Sequence, residues 1–198
     1  MIQDLQIYPN RRSWVSDVKS SLETLGFYNI WLEQGVGDIN LFLLNLKQRL
    51  TDNFIQTWSS QLENSTRVRT YRLYSNFDFK LYLDTLNIKK YRQAFTKLRL
   101  SSHYLEIEVG RWHKPDKTPI NERKCQICNT IEDEFHFMLE CPLYQELRQK
   151  YIKKYYWKRP NIIKFQELLS SENKNVLKNM SVFIQKSFMK RNSVVLRN

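Results

Sequence analysis

The sequence predicts an all-α protein, and three observations carry that expectation. The 198 residues include only four glycines, too few for a fold of many short strands and glycine-rich turns. Apolar side chains recur at three- and four-residue intervals along most of the chain, the spacing of one helix face. The residues expected to start and stop helices also fall at the ends of these periodic stretches.

In chain order, the first helix is expected from Ser13 to Leu25, with Trp14, Val18, Leu22 and Leu25 on one face and Gly26 as its stop. Asp38 is a good N-cap for a second, long helix that keeps Ile39, Leu43, Leu46, Leu50, Phe54, Trp58 and Leu62 in register. Further helical windows cover Thr66 to Tyr74, Ile88 to Leu100, Glu134 to Leu139, Leu143 to Trp157, Ile162 to Ser170 and Val176 to Lys190. Between Gly110 and Lys124, Pro115 and Pro119 interrupt a segment with no apolar period, which reads as a linker. The expected organisation is a helical scaffold over residues 1–110 with a basic second half, a proline-containing linker over 111–124, and a second helical region over 125–198.

Composition narrows the function. Apolar residues make up 41% of the chain and aromatics 14%, so it should fold around a core. Thirty-two Lys and Arg against twenty Asp and Glu leave a formal charge of +12, an excess that points to a polyanionic partner. The excess is uneven: residues 1–60 carry net −1, residues 61–124 net +7 and residues 125–198 net +6. A membrane partner is disfavoured because Asn40, Asn45, Lys47, Gln48 and Arg49 interrupt the densest apolar stretch. With no secretory leader expected either, the location read from the sequence is intracellular, and nuclear if the polyanion is nucleic acid.

All three cysteines lie between residues 125 and 141, too close together to staple the rest of the chain as disulfides. Cys125, Cys128, His136 and Cys141 form the pattern C-x2-C-x7-H-x4-C. A tight C-x2-C turn can place two thiolates on one ion, and a His and a third Cys complete a tetrahedral Cys3His set, the donor set of a closed structural zinc site. The expected cofactor is therefore structural Zn2+, stapling a small helical subdomain. The acidic run Glu132-Asp133-Glu134 should suit the dipole at the start of the helix carrying His136. Cys141 should lie beyond the end of that helix, because five residues of α-helix would turn it roughly 140° away from His136.

Nucleic-acid contacts are expected from two basic rows. After the Cys/His cluster, Lys150, Lys153, Lys154 and Trp157 would share one face of a continuous helix, with Arg148, Lys158 and Arg159 extending it and Tyr155 and Tyr156 interleaved. On the Ile88 to Leu100 helix, Lys89, Arg92, Thr96 and Arg99 would share a face opposite Ile88, Tyr91, Phe95 and Leu98.

Enzyme signatures are sparse. Asp116, Glu122 and Lys124 resemble the acidic and Glu-x-Lys pattern of metal-dependent nucleases, but the spacing is short and the context is a proline-rich loop. There is no glycine-rich phosphate loop, no adjacent Asp pair for two metals, and no partner that would make His103 or His113 catalytic. No catalytic residues and no small-molecule substrate are expected.

The residues from Lys97 to Trp112, then Asn121 to Cys125, Glu132 to Phe137 and Glu140 to Tyr144, resemble the C-terminal region of non-LTR, LINE-type retrotransposon reverse transcriptases. The resemblance covers residues 85–160 most firmly. It implies a Cys-Cys-His-Cys zinc unit at Cys125, Cys128, His136 and Cys141, and a role in handling nucleic acid during target-primed reverse transcription. The polymerase fingers and palm, with their catalytic aspartates, have no counterpart here, so what is implied is the tail of such an enzyme without its catalytic core. The sequence thus reads as a non-catalytic DNA- or RNA-binding module. The alternative is a zinc-stabilised protein-interaction module, or an inert remnant of a mobile element.

Overall fold

A computed structural model of the chain describes residues 13–195. It is all-α: the described residues contain helices and turns, no strand, and one isolated antiparallel bridge between Lys124 and Ile131. They fall into two compact units that divide between Asn64 and Ser65.

The first unit holds α1 (Trp14–Thr24), α2 (Tyr28–Glu33) and α3 (Ile39–Asn64). Ser13 and Ser16 form a capping box at the start of α1. Gly26, with φ at 79°, reverses the chain after Leu25, in the left-handed conformation that Gly adopts without penalty. Asp38 caps α3 as expected, its Oδ1 accepting from the Asn40 and Leu41 amides at 2.8 and 3.1 Å. Phe27 and Phe42 meet edge to face, while Ile39, Leu43, Leu44 and Leu50 of α3 stay exposed.

The second unit holds α4 (Tyr82–Thr85), α5 (Lys89–Arg99), α6 (Glu106–Val109), α7 (Gln145–Tyr151), α8 (Lys154–Trp157), α9 (Ile162–Leu169) and α10 (Lys174–Val195). Helix α10 is its axis, packed on α4, α5 and α7. Leu177, Met180, Phe183 and Ile184 of α10 are buried together with Phe95 and Leu98 of α5, Phe165, Leu168 and Leu169 of α9, and Phe137, Met138 and Leu139. Asn161 and Asn173 cap α9 and α10 through their side-chain oxygens.

Three expectations need correction. The Thr66 to Tyr74 window forms only a 3-10 turn at Tyr71–Leu73. The window from Leu143 to Trp157 is not continuous: Ile152 is extended and buried, separating α7 from α8 and dividing the expected basic face. The segment 111–124 lies inside the second unit, away from the division between the units. Its Thr118 amide donates to the Gly110 carbonyl at 2.9 Å, and buried Arg123 donates to the carbonyls of Thr118 and Ile107 at 2.9 and 2.7 Å. An apolar period cannot register such a loop, because buried polar groups hold it in place.

Candidate metal centre

Cys125 and Cys128 sit on a knuckle turn closed by backbone bonds. The Asn129 amide donates to the Cys125 carbonyl at 2.9 Å, and the Cys125 amide to the Thr130 carbonyl at 2.7 Å. Asn129 takes a left-handed φ of 55°, which Asn tolerates better than most side chains. The bridge between Lys124 and Ile131 clamps the base of the turn.

His136 and Cys141 approach by a different device. Residues His136–Glu140 form a π-helical turn, in which the Cys141 amide donates five residues back to the His136 carbonyl at 2.8 Å. The widened turn and the non-helical Cys141, at φ −52° and ψ 122°, supply what an α-helix could not. Asp133 caps this segment by accepting from the His136 amide at 2.8 Å.

The sulfurs stand 3.9 Å (Cys125 to Cys128), 3.9 Å (Cys125 to Cys141) and 3.7 Å (Cys128 to Cys141) apart. Thiolates at zinc distance from a common tetrahedral centre would be about 3.8 Å apart. One donor atom from each of the four residues lies within 4.8 Å of the others. Cys125, Cys141 and His136 are buried and Cys128 is half-buried. This is the one such group among the described residues. Asp116, Glu122 and Lys124, the nuclease-like trio, are exposed and outside it.

The four side chains are close enough to shift one another's protonation. A hydrogen bond from Cys141 holds the Cys125 thiol well below its usual range, against the opposing effect of burial, and pushes Cys141 up. Burial disfavours charge on His136, but its bonds to Cys125 and to Glu140 overcome this and raise its pKa. Glu140 Oε2 lies 3.4 Å and Thr130 Oγ1 3.2 Å from His136 Nδ1, outer partners of the kind that orient a ligating imidazole.

The surrounding residues brace the ligands. Arg148 is only 4% exposed and donates to the carbonyls of Met138 at 2.8 Å and Cys141 at 2.9 Å. It was expected at a nucleic-acid surface; its position four residues after buried Tyr144 on α7 places it inside instead. Arg99 needs the same correction. It is 5% exposed, donates to the Leu169 carbonyl and lies over the rings of Tyr74 and Tyr82 at 4.4 and 5.4 Å. Trp157 is half-buried against the core, with its indole N–H donating to the Ile152 carbonyl at 3.0 Å. The remaining expected cations, Lys89, Lys150, Lys153, Lys154, Lys158 and Arg159, are exposed, and Arg92 is half-buried.

The acidic run does more than favour a helix dipole. Glu132 accepts from Arg191 of α10 at 2.8 and 2.6 Å, and Glu134 accepts from Ser101 at 2.7 Å and faces His103 Nε2 at 3.0 Å. Spacing alone did not reveal Arg191, although it lies four residues after buried Ser187 on the inner face of α10.

Fold and site together define an all-α protein with a Cys3His group able to hold a metal ion. Comparison with protein-family models, curated proteins and solved structures gives no match. No helix among the described residues is long and apolar enough to cross a membrane.

Proposed function

We propose that the chain is a zinc-stabilised, non-catalytic nucleic-acid-binding module, related to the C-terminal part of LINE-type reverse transcriptases. The convergence of Cys125, Cys128, His136 and Cys141 within 4.8 Å carries this reading. Three soft thiolates and one imidazole in a closed tetrahedral set suit Zn2+ better than the hard cations, which take oxygen donors. With all four positions filled by protein, the ion would hold the knuckle to the π turn and supply no chemistry of its own.

The partner is read from charge. Residues 65–198 carry twenty-seven basic against thirteen acidic side chains, net +14. Lys150, Lys153, Lys154, Lys158 and Arg159 extend into solvent close in sequence to the metal ligands, with Tyr155 exposed among them. Such a surface meets phosphates, with affinity that falls as added salt lessens the gain from counterion release.

The test is metal analysis of the purified chain, followed by a salt series of binding to duplex DNA, single-stranded DNA and RNA. One equivalent of zinc and a steep loss of affinity with salt are expected. Absence of binding at low salt overturns the reading. A second reading, a protein-interaction module, is favoured by the exposed Ile39, Leu43, Leu44 and Leu50 of α3; it predicts that charge reversal at Lys150, Lys153 and Lys154 changes no nucleic-acid affinity.

A further inference from the structure

A cleft of about 240 Å³ lies between α5 and α10, and none of Cys125, Cys128, His136 and Cys141 lines it. Lys90 and Lys97 are exposed on its α5 wall, and no carboxylate lines it. Tyr104 and Met189 stand 68% and 61% exposed at its edges, a high exposure for large apolar side chains. Gln93, Gln185 and Asn192 also line it, side chains that carry both donors and acceptors, although the Gln185 amide nitrogen lies 2.9 Å from Met189 Sδ. Its floor is fixed: buried His103 faces Glu134 Oε1 at 3.0 Å through Nε2 and the Leu105 amide at 3.4 Å through Nδ1.

We infer that this cleft takes one unpaired nucleobase of a single strand, stacked on Tyr104, with the adjoining phosphates on Lys90 and Lys97. The inference rests on the nucleic-acid reading above and refines it, because a base held in a duplex cannot present its face to Tyr104. The positive rim complements a polyanion, the flat ring meets the face that every base shares, and the carboxamides can bond its edge. Both ring nitrogens of His103 are engaged by Glu134 and the Leu105 amide, so this imidazole is not free to bond a bound base.

The test compares the full chain with Tyr104→Ala and Tyr104→Phe on four probes: oligothymidylate, oligouridylate, an abasic oligomer of the same length, and a DNA duplex. Tyr104 is exposed, so neither substitution should disturb the fold, and helical content and bound zinc serve as controls. Losing one base–aromatic stack should weaken Tyr104→Ala binding to the two base-bearing single strands by about 5- to 150-fold. Tyr104→Phe should stay within about 2-fold of the parent, and both variants should bind the abasic oligomer and the duplex as the parent does. An unchanged affinity of Tyr104→Ala for single strands, or an equal loss on every probe, overturns the cleft assignment while leaving the basic surface in place. Failure of the parent chain to bind any probe overturns the nucleic-acid reading itself.

Discussion

Arg191 and Glu132, 59 residues apart, form a buried two-pronged ion pair with N···O distances of 2.8 and 2.6 Å. Glu132 also accepts from the Glu106 amide at 2.8 Å, and Arg191 lies 3.4 Å from the Glu106 carboxylate. The end of α10 is thereby tied both to the segment between the candidate ligands Cys128 and His136 and to the start of α6.

Breaking this pair from one side should be severe. Arg191→Met or Glu132→Gln leaves a buried polar or charged group without its partner, at a cost of about 3–5 kcal/mol each. The double variant should cost less than the sum of the two. Urea unfolding followed by a probe in the second unit measures the coupling, and strict additivity would argue against the pair as a unit.

Loss of a metal ligand should unfold the second unit selectively. Cys125→Ser and His136→Ala are expected to release zinc and to lower the thermal midpoint by more than about 10 °C, since structural zinc contributes roughly 10–16 kcal/mol in small peptides. Metal content by elemental analysis together with a circular-dichroism melt checks this. A chain that keeps its midpoint after chelation has no structural ion.

Gly110 is required by crowding. A Cβ there would lie 2.7 Å from Arg123 Cγ and 2.8 Å from its Cδ and Nε. Gly110→Ala should displace Arg123 from the carbonyls of Thr118 and Ile107 and cost about 1–3 kcal/mol by overpacking. Arg123→Ala combined with Gly110→Ala should cost less than the two single effects added together, as measured by chemical denaturation.

Glu108 gives a pH dependence. Burial raises its carboxyl pKa, only partly offset by Arg111, whose Nε lies 3.0 Å away. The folded state therefore holds this proton more tightly than the unfolded state, and its ionisation costs stability as pH rises from the ordinary carboxylate range through the raised folded value. The stability of the parent chain relative to Glu108→Gln should improve as pH falls through that interval and level off below about pH 4.3. A flat difference across the interval would show that Glu108 titrates normally.

Exposed and buried cations should separate cleanly. Lys153→Ala and Lys154→Ala should leave stability within about 0.5 kcal/mol and each reduce the slope of log affinity against log salt by about one. Arg148→Ala should instead destabilise the second unit, because the carbonyls of Met138 and Cys141 lose their donor. Paired binding and melting curves for the three variants decide this.

The long elements were legible where one face alternates cleanly with the other and a cap marks the start. The boundaries of α1, α3, α5 and α9 fall within about two residues of expectation, with Ser13, Asp38 and Asn161 as side-chain caps of α1, α3 and α9. The four-residue helices α4 and α8 were not legible as separate helices, because one turn carries no period. The ligand set could be read from spacing, but the π turn that unites His136 and Cys141 could not, since it depends on the Cys141 amide reaching one residue further back than in an α-helix. Charge counting failed at Arg99 and Arg148. A tally of cations does not say which guanidiniums turn inward, and the clue was their place four residues after buried Phe95 and Tyr144.

If the chain binds nucleic acid as proposed, the inward turn of Arg148 and Arg191 also limits how residues 145–195 could read it. Between residues 145 and 195, two of the three arginines, Arg148 and Arg191, are buried, while none of the nine lysines is. A flat guanidinium fork can grip two acceptors on a guanine edge at once, whereas an ammonium is a single mobile charge satisfied by any phosphate. A face furnished almost entirely with lysine would follow the course of a strand without regard to its letters. Any base preference would then have to come from elsewhere on the molecule, or from which bases are free to leave the stack.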